Sequence, residues 1–190
     1  MKKILLMVTC FLMISSLMVS AEENSYSPTE VTNKVIALVV KAAKENNQLL
    51  INKYVEFGGN INVSDNKGYT PLIYAAYFGH EGMVDFLLDS GANACMKDKR
   101  GNTALMGAIF KGNAKIAFRL LKSDCAIDQN NNADQTALMY ATLFGRKDIA
   151  EKLIVKGAKI ATQDANGNSA MSLAQDQFNH EMIALLEKHK

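Results

Sequence analysis

The chain begins with an apolar run that stops abruptly. Residues 4–19 are apolar apart from three hydroxyl residues, two lysines precede them, and two glutamates follow Ala21. A basic start, an apolar run and small residues before a polar stretch are typical of a secretory signal peptide. We predict that residues 1–21 form a signal peptide cleaved after Ala21, and that 22–33 form a polar N-terminal segment. The alternative is an uncleaved anchor, because the run approaches the shorter limit of a membrane span.

From residue 65 onward the apolar pattern recurs at a constant spacing, with new units beginning at positions 98, 131 and 164. Each unit has a small residue in a first apolar segment, and three of the four units also have a glycine after it and an aliphatic pair in a second segment. The shared positions are Ala75, Ala108, Ala141 and Ala174; Gly79, Gly112 and Gly145; and Leu87–Leu88, Leu120–Leu121 and Leu153–Ile154. This pattern predicts two short helices in each unit, the second with one buried face. Because no unit can bury both of its faces alone, we expect the units to stack.

Each unit opens with residues that favour a tight turn. Asp65 and Gly68 recur as Asp98 and Gly101, and a hydroxyl side chain follows the turn in every unit. Glycine supplies a positive φ, and aspartate bonds to the backbone of the turn. The hydroxyl residues placed to cap the next helix are Thr70, Thr103, Thr136 and Ser169. We therefore expect a tight turn before each first helix.

The segment from Gly68 to His80 resembles the core of the ankyrin repeat, G-x-T-P-L-H-x-A-A-x-x-G-H, with Ile73 in place of the usual histidine. Similar matches recur in four units. The resemblance implies an all-α ankyrin-repeat solenoid of helix–turn–helix units with short β-turn fingers over residues 34–190. It also implies three full repeats between two capping repeats, with the bounds 34–64, 65–97, 98–130, 131–163 and 164–190.

Two aspartates depart from the repeat pattern. Asp124 and Asp134 stand where other units have glycine, so we expect both in a left-handed conformation at a cost of roughly 1 kcal/mol each. The junction between the second and third full repeats is therefore predicted to be the least stable part of the stack. The histidine position of the family is also changed, and apolar packing is expected to replace its hydrogen bonds. The residues there are Ile73, Met106, Met139 and Ser172.

Residue types that carry out catalysis or bind metals are sparse in this chain. The three histidines lack the i, i+4 spacing of a metal site, and His80 is expected to cap a second helix instead. Phosphate-loop, zinc-protease and serine-hydrolase motifs do not occur. We predict a protein that is not an enzyme, with no catalytic residue, metal, cofactor or small-molecule substrate.

The two cysteines beyond the predicted signal peptide, Cys95 and Cys125, are separated by slightly less than one repeat length. This spacing can place them in neighbouring turns of the stack. An exported chain with two cysteines favours a disulfide between them. The alternative is that Cys125 is a small buried residue, as Ala92 and Ala158 are in their units, and that Cys95 is a free thiol.

Charge is balanced overall but unevenly spread. Removing residues 1–21 takes away two of the 21 basic residues and none of the 19 acidic ones, which leaves a formally neutral chain. A neutral chain has no overall field to attract polyanions, so nucleic acid is not an expected partner. The unit 98–130 nevertheless has six basic and three acidic residues. We expect Lys99, Arg100 and Lys111 either to steer an acidic partner or to form a solvated face.

The ankyrin resemblance implies a protein partner bound on the concave face that the fingers and first helices form. The residues between the fixed repeat positions are expected to contact it: Lys67, Tyr69, Tyr77, Phe78, Lys99, Arg100, Phe110, Lys111, Leu143 and Phe144. Aromatic residues and arginine dominate binding hot spots. The alternative is that Phe78, Phe110 and Phe144 pack sideways between neighbouring first helices.

The function that we predict is a non-catalytic interaction module in the bacterial periplasm, or secreted, without a stable membrane anchor after cleavage of the signal peptide. The bacterial source is inferred from the lysine-, asparagine- and methionine-rich composition together with the signal peptide. One alternative is an accessory, inhibitor or immunity factor that regulates or protects an exported enzyme or toxin. Another is a purely structural component of the envelope.

Overall fold

The computed structural model describes residues 27–189, so the predicted signal peptide and residues 22–26 of the polar segment lie outside the described residues. The described part of the chain divides into two compact units, of which one ends at Asn33 and the other begins at Lys34. It contains ten helices. These are α1 Pro28–Lys44, α2 Gln48–Glu56, α3 Pro71–Phe78, α4 Glu81–Asp89, α5 Ala104–Lys111, α6 Ala114–Leu120, α7 Ala137–Leu143, α8 Lys147–Val155, α9 Ala170–Asp176 and α10 His180–Lys188.

The start of α1 belongs to the first unit and is closed by a reciprocal pair of bonds. The Ser27 N–H donates to Glu30 Oε2 at 2.8 Å, and the Glu30 N–H donates to Ser27 Oγ at 3.2 Å. This arrangement satisfies two amide groups that a helix start otherwise leaves without partners. The bonds from Ser27 also hold the pKa of the Glu30 carboxyl below its usual value.

In the second unit, a hydroxyl side chain caps each first helix from α3 onward. Thr70, Thr103 and Thr136 are almost fully buried, and each accepts a hydrogen bond from the backbone N–H three residues later, at 3.2–3.4 Å. Ser169 does the same for α9 at 3.2 Å. The predicted caps are confirmed. At the three buried threonines, the hydroxyl satisfies a backbone amide that water cannot reach.

Turns with isolated antiparallel bridges precede α5, α7 and α9, and they form the predicted fingers. In the finger at Asp98, the carboxylate accepts bonds from the Arg100 and Asn102 amides, both at 2.8 Å. Neighbouring fingers are also joined to each other, because the Lys99 N–H donates to the Lys67 carbonyl at 2.9 Å. The same bond recurs one repeat later from Asn132 to Arg100, and again from Ala165 to Ala133. The fingers are therefore fixed as one hydrogen-bonded row.

The two aspartates that replace glycine behave differently. Asp134 has a φ of 58°, as predicted, and its carboxylate accepts a bond from the Asn130 side chain at 2.7 Å. The prediction for Asp124 is wrong, because the left-handed non-glycine residues between 27 and 189 are Asn46, Asp134 and Phe178. Helix α6 instead ends early, at Leu120, and tight turns follow it. In one of them the Ser123 N–H donates to the Leu120 carbonyl at 3.0 Å. The early end removes the need for a left-handed residue at position 124.

The core is a continuous apolar layer between the first and second helices, running from Val39 to Leu186. At the altered histidine position, Ile73, Met106 and Met139 are 5% exposed or less, so apolar packing has replaced the family's histidine in these three repeats, as predicted. In the fourth, the Ser172 hydroxyl instead donates to the Ser169 carbonyl at 3.1 Å.

Side chains of each repeat also cap the first helix of the repeat before. His80 Nε2 lies 2.9 Å from the Lys44 carbonyl at the end of α1, and Asn113 Nδ2 donates to the Ala76 carbonyl at 2.9 Å. Arg146 and Gln177 continue the series to α5 and α7. The expectation that the His80 side chain caps α4 is wrong, because its ring makes no such bond and contacts the Lys44 carbonyl of the preceding repeat instead. The ring bonds to a helix end whose carbonyls lack partners within the helix.

The loops that follow the second helices form another row of contacts. The Asn93 N–H donates to Asn62 Oδ1 at 2.7 Å, and the Lys159 N–H donates to Asp128 Oδ1 at 2.9 Å. Cys95 occupies the same repeat position as Asn62 and Asp128, and there the contact is a disulfide to Cys125 with a Cα–Cα distance of 5.4 Å. One contact of this row is therefore covalent.

Candidate partner-binding groove

The fingers and first helices enclose a groove of about 420 Å³, which we call the finger groove. Its side chains come from the end of α1, from two fingers and from α3, α5 and α7. The residues that line it are Lys44, Lys67, Tyr69, Ile73, Tyr74, Tyr77, Phe78, Asp98, Arg100, Asn102, Thr103, Met106, Gly107, Phe110 and Tyr140. Aromatic and basic residues predominate among those with large side chains.

The aromatic rings form a chain of contacts across neighbouring first helices. Tyr77 stacks on Phe110 with ring centres 5.9 Å apart, and Phe110 meets the edge of Phe144 at 4.8 Å. The alternative of sideways packing is therefore present for Phe110 and Phe144, whereas Phe78 contacts Tyr74 and Tyr77 of its own helix. Packing does not bury the rings, because Phe78, Phe110 and Phe144 remain 43%, 41% and 37% exposed. The same aromatics thus support the stack and still present apolar surface.

The polar groups on the groove floor are already paired with one another. The Tyr74 hydroxyl donates to Asp65 Oδ2 at 2.8 Å, and burial together with this bond raises the pKa of Tyr74 to about 12. The Tyr140 hydroxyl donates to Asn102 Oδ1 at 2.9 Å, and burial raises the pKa of this tyrosine too. Asn131 donates to the same oxygen at 3.0 Å. Internal hydrogen bonds of this kind hold a floor in one conformation.

The cations around the groove have no carboxylate partner among the described residues. Lys111 Nζ lies 5.1 Å from the centre of the Tyr77 ring, and Lys44 Nζ lies 5.7 Å from that of Phe78. Lys67 and Arg100 are exposed on adjacent finger tips. Within residues 27–189, the ion pairs involve other basic residues: Lys41, Lys115, Arg119 and Lys147. The groove therefore has a positive potential that this part of the chain does not neutralise.

The structure brings most of the predicted binding residues together. Six of them line the groove: Lys67, Tyr69, Tyr77, Phe78, Arg100 and Phe110. Lys111 and Phe144 contact groove aromatics from its edge. Lys99 lies exposed on its finger outside the lining, and Leu143 is half-buried, away from the groove.

Among the groove residues with large polar or aromatic side chains, sequence reasoning missed Lys44, Tyr74 and Tyr140. Tyr74 and Tyr140 lie two repeat lengths apart at the same repeat position, which is a signal that could have found them. Lys44 lies in the weakly matching first repeat, where the repeat pattern gives little guidance.

Residues 27–189 also bear on metal binding and on membrane spans. No cluster of three or more histidine, cysteine, aspartate or glutamate side chains there is arranged to hold a metal ion. In the same part of the chain, every helix is too short or too polar to cross a membrane.

The family model for ankyrin repeats, in three copies, matches the chain over residues 39–132, 92–164 and 112–190. Together these matches cover well over half of the chain. The protein belongs to the ankyrin repeat family. Its fold is an all-α ankyrin solenoid, and ankyrin repeats generally mediate protein–protein interactions without catalysis. None of the curated proteins searched matches this ankyrin repeat chain.

Proposed function

We propose that this ankyrin repeat protein is an exported, non-catalytic interaction module that binds a partner protein on its concave face, through the finger groove. The observation that carries the proposal is one groove in which exposed aromatics lie beside cations that form no ion pair within residues 27–189. Aromatic residues and arginine are the side chains on which binding energy concentrates. The disulfide supports an oxidising compartment, periplasmic or extracellular.

The test is capture of the partner after crosslinking in an envelope extract of the source cells. Arg100→Ala is the cleanest variant, because this exposed side chain makes no ion pair in the described chain. We expect it to reduce capture at least tenfold with unchanged helical content and melting. Arg119→Ala is the matched control, because Arg119 lies on α6 among the second helices and pairs with Asp85 at 2.9 Å.

Aromatic variants are less clean tests, since Tyr77 and Phe110 stack on each other. An aromatic pair contributes about 1 kcal/mol, so Tyr77→Ala is expected to lower stability as well as capture. Equal capture by the wild type and by Arg100→Ala would contradict the proposal. A captured enzyme or toxin whose activity changes in a stoichiometric complex would identify the role as that of an inhibitor or immunity factor.

Export has its own test. We expect the protein to accumulate in the periplasmic or culture fraction with Glu22 as its first residue, because cleavage is predicted after Ala21. N-terminal mass spectrometry of the fractionated protein measures this directly. An intact N-terminus on protein from the cytoplasmic fraction would contradict it.

A further inference from the structure

Resting on the proposed function, we infer that the finger groove binds an acidic segment of the partner, with carboxylates at the cations and an apolar side chain against the aromatics. The cations that matter are Lys67, Arg100 and Lys111. Each is exposed, and none has a carboxylate within ion-pair distance in the described chain.

The acidic groups near the groove form no ion pair with these cations in the described chain, because their oxygens are bonded to groups of the fingers. Asp65 accepts bonds from two backbone amides and from the Tyr74 hydroxyl. Asp98 is 7% exposed and accepts bonds from two amides and the Asn102 side chain. The groove lining contains three cations, Lys44, Lys67 and Arg100, against one carboxylate, Asp98, so its net charge is positive.

The second helices provide an internal comparison. There, Arg119 pairs with Asp85 and Asp89, Lys115 pairs with Glu81, and Lys147 pairs with Glu181. Within the described chain, carboxylates therefore lie opposite the cations of the second helices, whereas the groove cations have no carboxylate opposite them. An acidic ligand would complete the groove in the same way.

The geometry also limits the spacing of the acidic residues. Lys67 and Arg100 occupy the same repeat position on adjacent fingers. Each finger is a narrow hairpin, so equivalent residues lie about two strand spacings, roughly 10 Å, apart. An extended chain covers that distance in about three residues. Two carboxylates two to four residues apart therefore match the two finger tips, and the Tyr77–Phe110 pair lies ready for an apolar neighbour.

A polypeptide fits the groove better than nucleic acid does. The predicted mature chain is formally neutral, and the cations form a small cluster rather than a long basic stripe. The tyrosine hydroxyls on the floor are already bonded within the protein, whereas the exposed phenylalanine surface suits an apolar side chain.

The experiment is a selection of random dodecapeptides displayed on phage, against the immobilised protein purified in the form that cells accumulate. We expect the enriched peptides to be acidic, with two carboxylates two to four residues apart and an apolar or aromatic residue beside them. A labelled peptide from the selection is then titrated against the Arg100→Glu/Lys111→Glu variant. We expect at least a tenfold loss of affinity, and weaker wild-type binding as salt rises.

The matched control is Lys122→Glu/Lys152→Glu, which changes the net charge equally at exposed residues beside α6 and on α8. This control is expected to change affinity less than threefold. Enriched peptides that are neutral or basic but still need Tyr77 and Phe110 would overturn the acidic assignment and leave the proposed function intact. Peptides that bind all groove variants equally would overturn both.

Two further results would overturn the acidic assignment alone. One is a selection without enrichment, and the other is tighter binding of a single-stranded oligonucleotide than of the best peptide at physiological salt. In both cases the proposed function would still be decided by capture with Arg100→Ala.

Discussion

The second helices and the finger groove of this protein treat charge in opposite ways. On the second helices, cations meet carboxylates of the neighbouring repeat, as Arg119 meets Asp85 and Asp89 at 2.9 and 2.8 Å. Around the groove, Lys67, Arg100 and Lys111 have no such partner in the described chain. Because the second helices and the finger groove belong to the same repeats, the fold itself does not require unpaired cations. The difference teaches that the charges of the second helices join repeats, while the groove cations are free to contact a ligand.

The largest expected effect lies outside both rows, at the disulfide. Cys95→Ala/Cys125→Ala should lower the free energy of unfolding by about 3 kcal/mol, because the bridge closes a long loop between two repeats. Urea unfolding measures the loss, and binding of the selected peptide should not change. A native protein that does not gain the mass of two hydrogens on reduction would show that the bridge is absent.

A gain in stability is expected at Phe178. This residue has a φ of 53° and is 80% exposed, at the repeat position where Gly79, Gly112 and Gly145 stand. Phe178→Gly should raise the free energy of unfolding by about 1 kcal/mol, since a left-handed backbone penalises a bulky side chain.

Gly145→Ala is the matched control for Phe178→Gly. Gly145 has a φ of 62°, and an added Cβ there would meet no atom within 4 Å. Gly145→Ala should therefore lower the free energy of unfolding by about 1 kcal/mol through backbone conformation alone. If Phe178→Gly weakened peptide binding, the aromatic surface that binds the partner would extend beyond the groove.

A smaller effect separates the two rows directly. Arg119→Ala should lower the free energy of unfolding by about 0.5–1 kcal/mol, because its two ion pairs are partly exposed, and should leave peptide affinity unchanged. Lys111→Ala should show the reverse pattern, with lower affinity and nearly constant stability. Calorimetry and peptide titration of the two variants measure both quantities. Equal losses of affinity would mean that the rows do not have separate roles.

The remaining expected effect is confined to alkaline pH. The pKa of Tyr74 is about 12 in the folded protein and 10 in its ordinary state. The folded state therefore favours the protonated hydroxyl, so its contribution is complete below pH 10 and is lost as the pH rises towards 12. Absorbance of ionised tyrosine should show late titrations from Tyr74 and Tyr140, and the Tyr74 component should disappear in Tyr74→Phe. An unchanged titration in this variant would mean that the groove floor is less closed than its hydrogen bonds indicate.

Most of the fold could be predicted because its rules are local and repeated. The caps at Thr70, Thr103 and Thr136 follow from short-range chemistry that recurs once in every repeat, and so does the left-handed Asp134. The prediction for Asp124 failed because a helix has more than one way to end. Whether it stops early, as α6 does at Leu120, depends on the packing around it.

The groove was less predictable because its contacts join different repeats. Asn131 bonds to Asn102 across 29 residues, and Tyr140 bonds to Asn102 across 38 residues. No local rule chooses such partners. The finger residues Lys67 and Arg100 could be predicted, since they lie between fixed positions on a turn that must be exposed.

The disulfide lies where the neighbouring repeats use a hydrogen bond, so either a covalent bond or a hydrogen bond can link adjacent loops at this position. A stack of repeats opens from its ends, since each repeat touches only its neighbours. Because the disulfide joins repeat 65–97 to repeat 98–130, these two repeats unfold together as one block. They are also the repeats that supply both finger tips of the groove, so the binding platform would stay assembled while the terminal repeats fray. The equivalent pairs Asn62–Ala92 and Asp128–Ala158 are suitable positions for engineered disulfides, which would extend the covalent link to the neighbouring repeats.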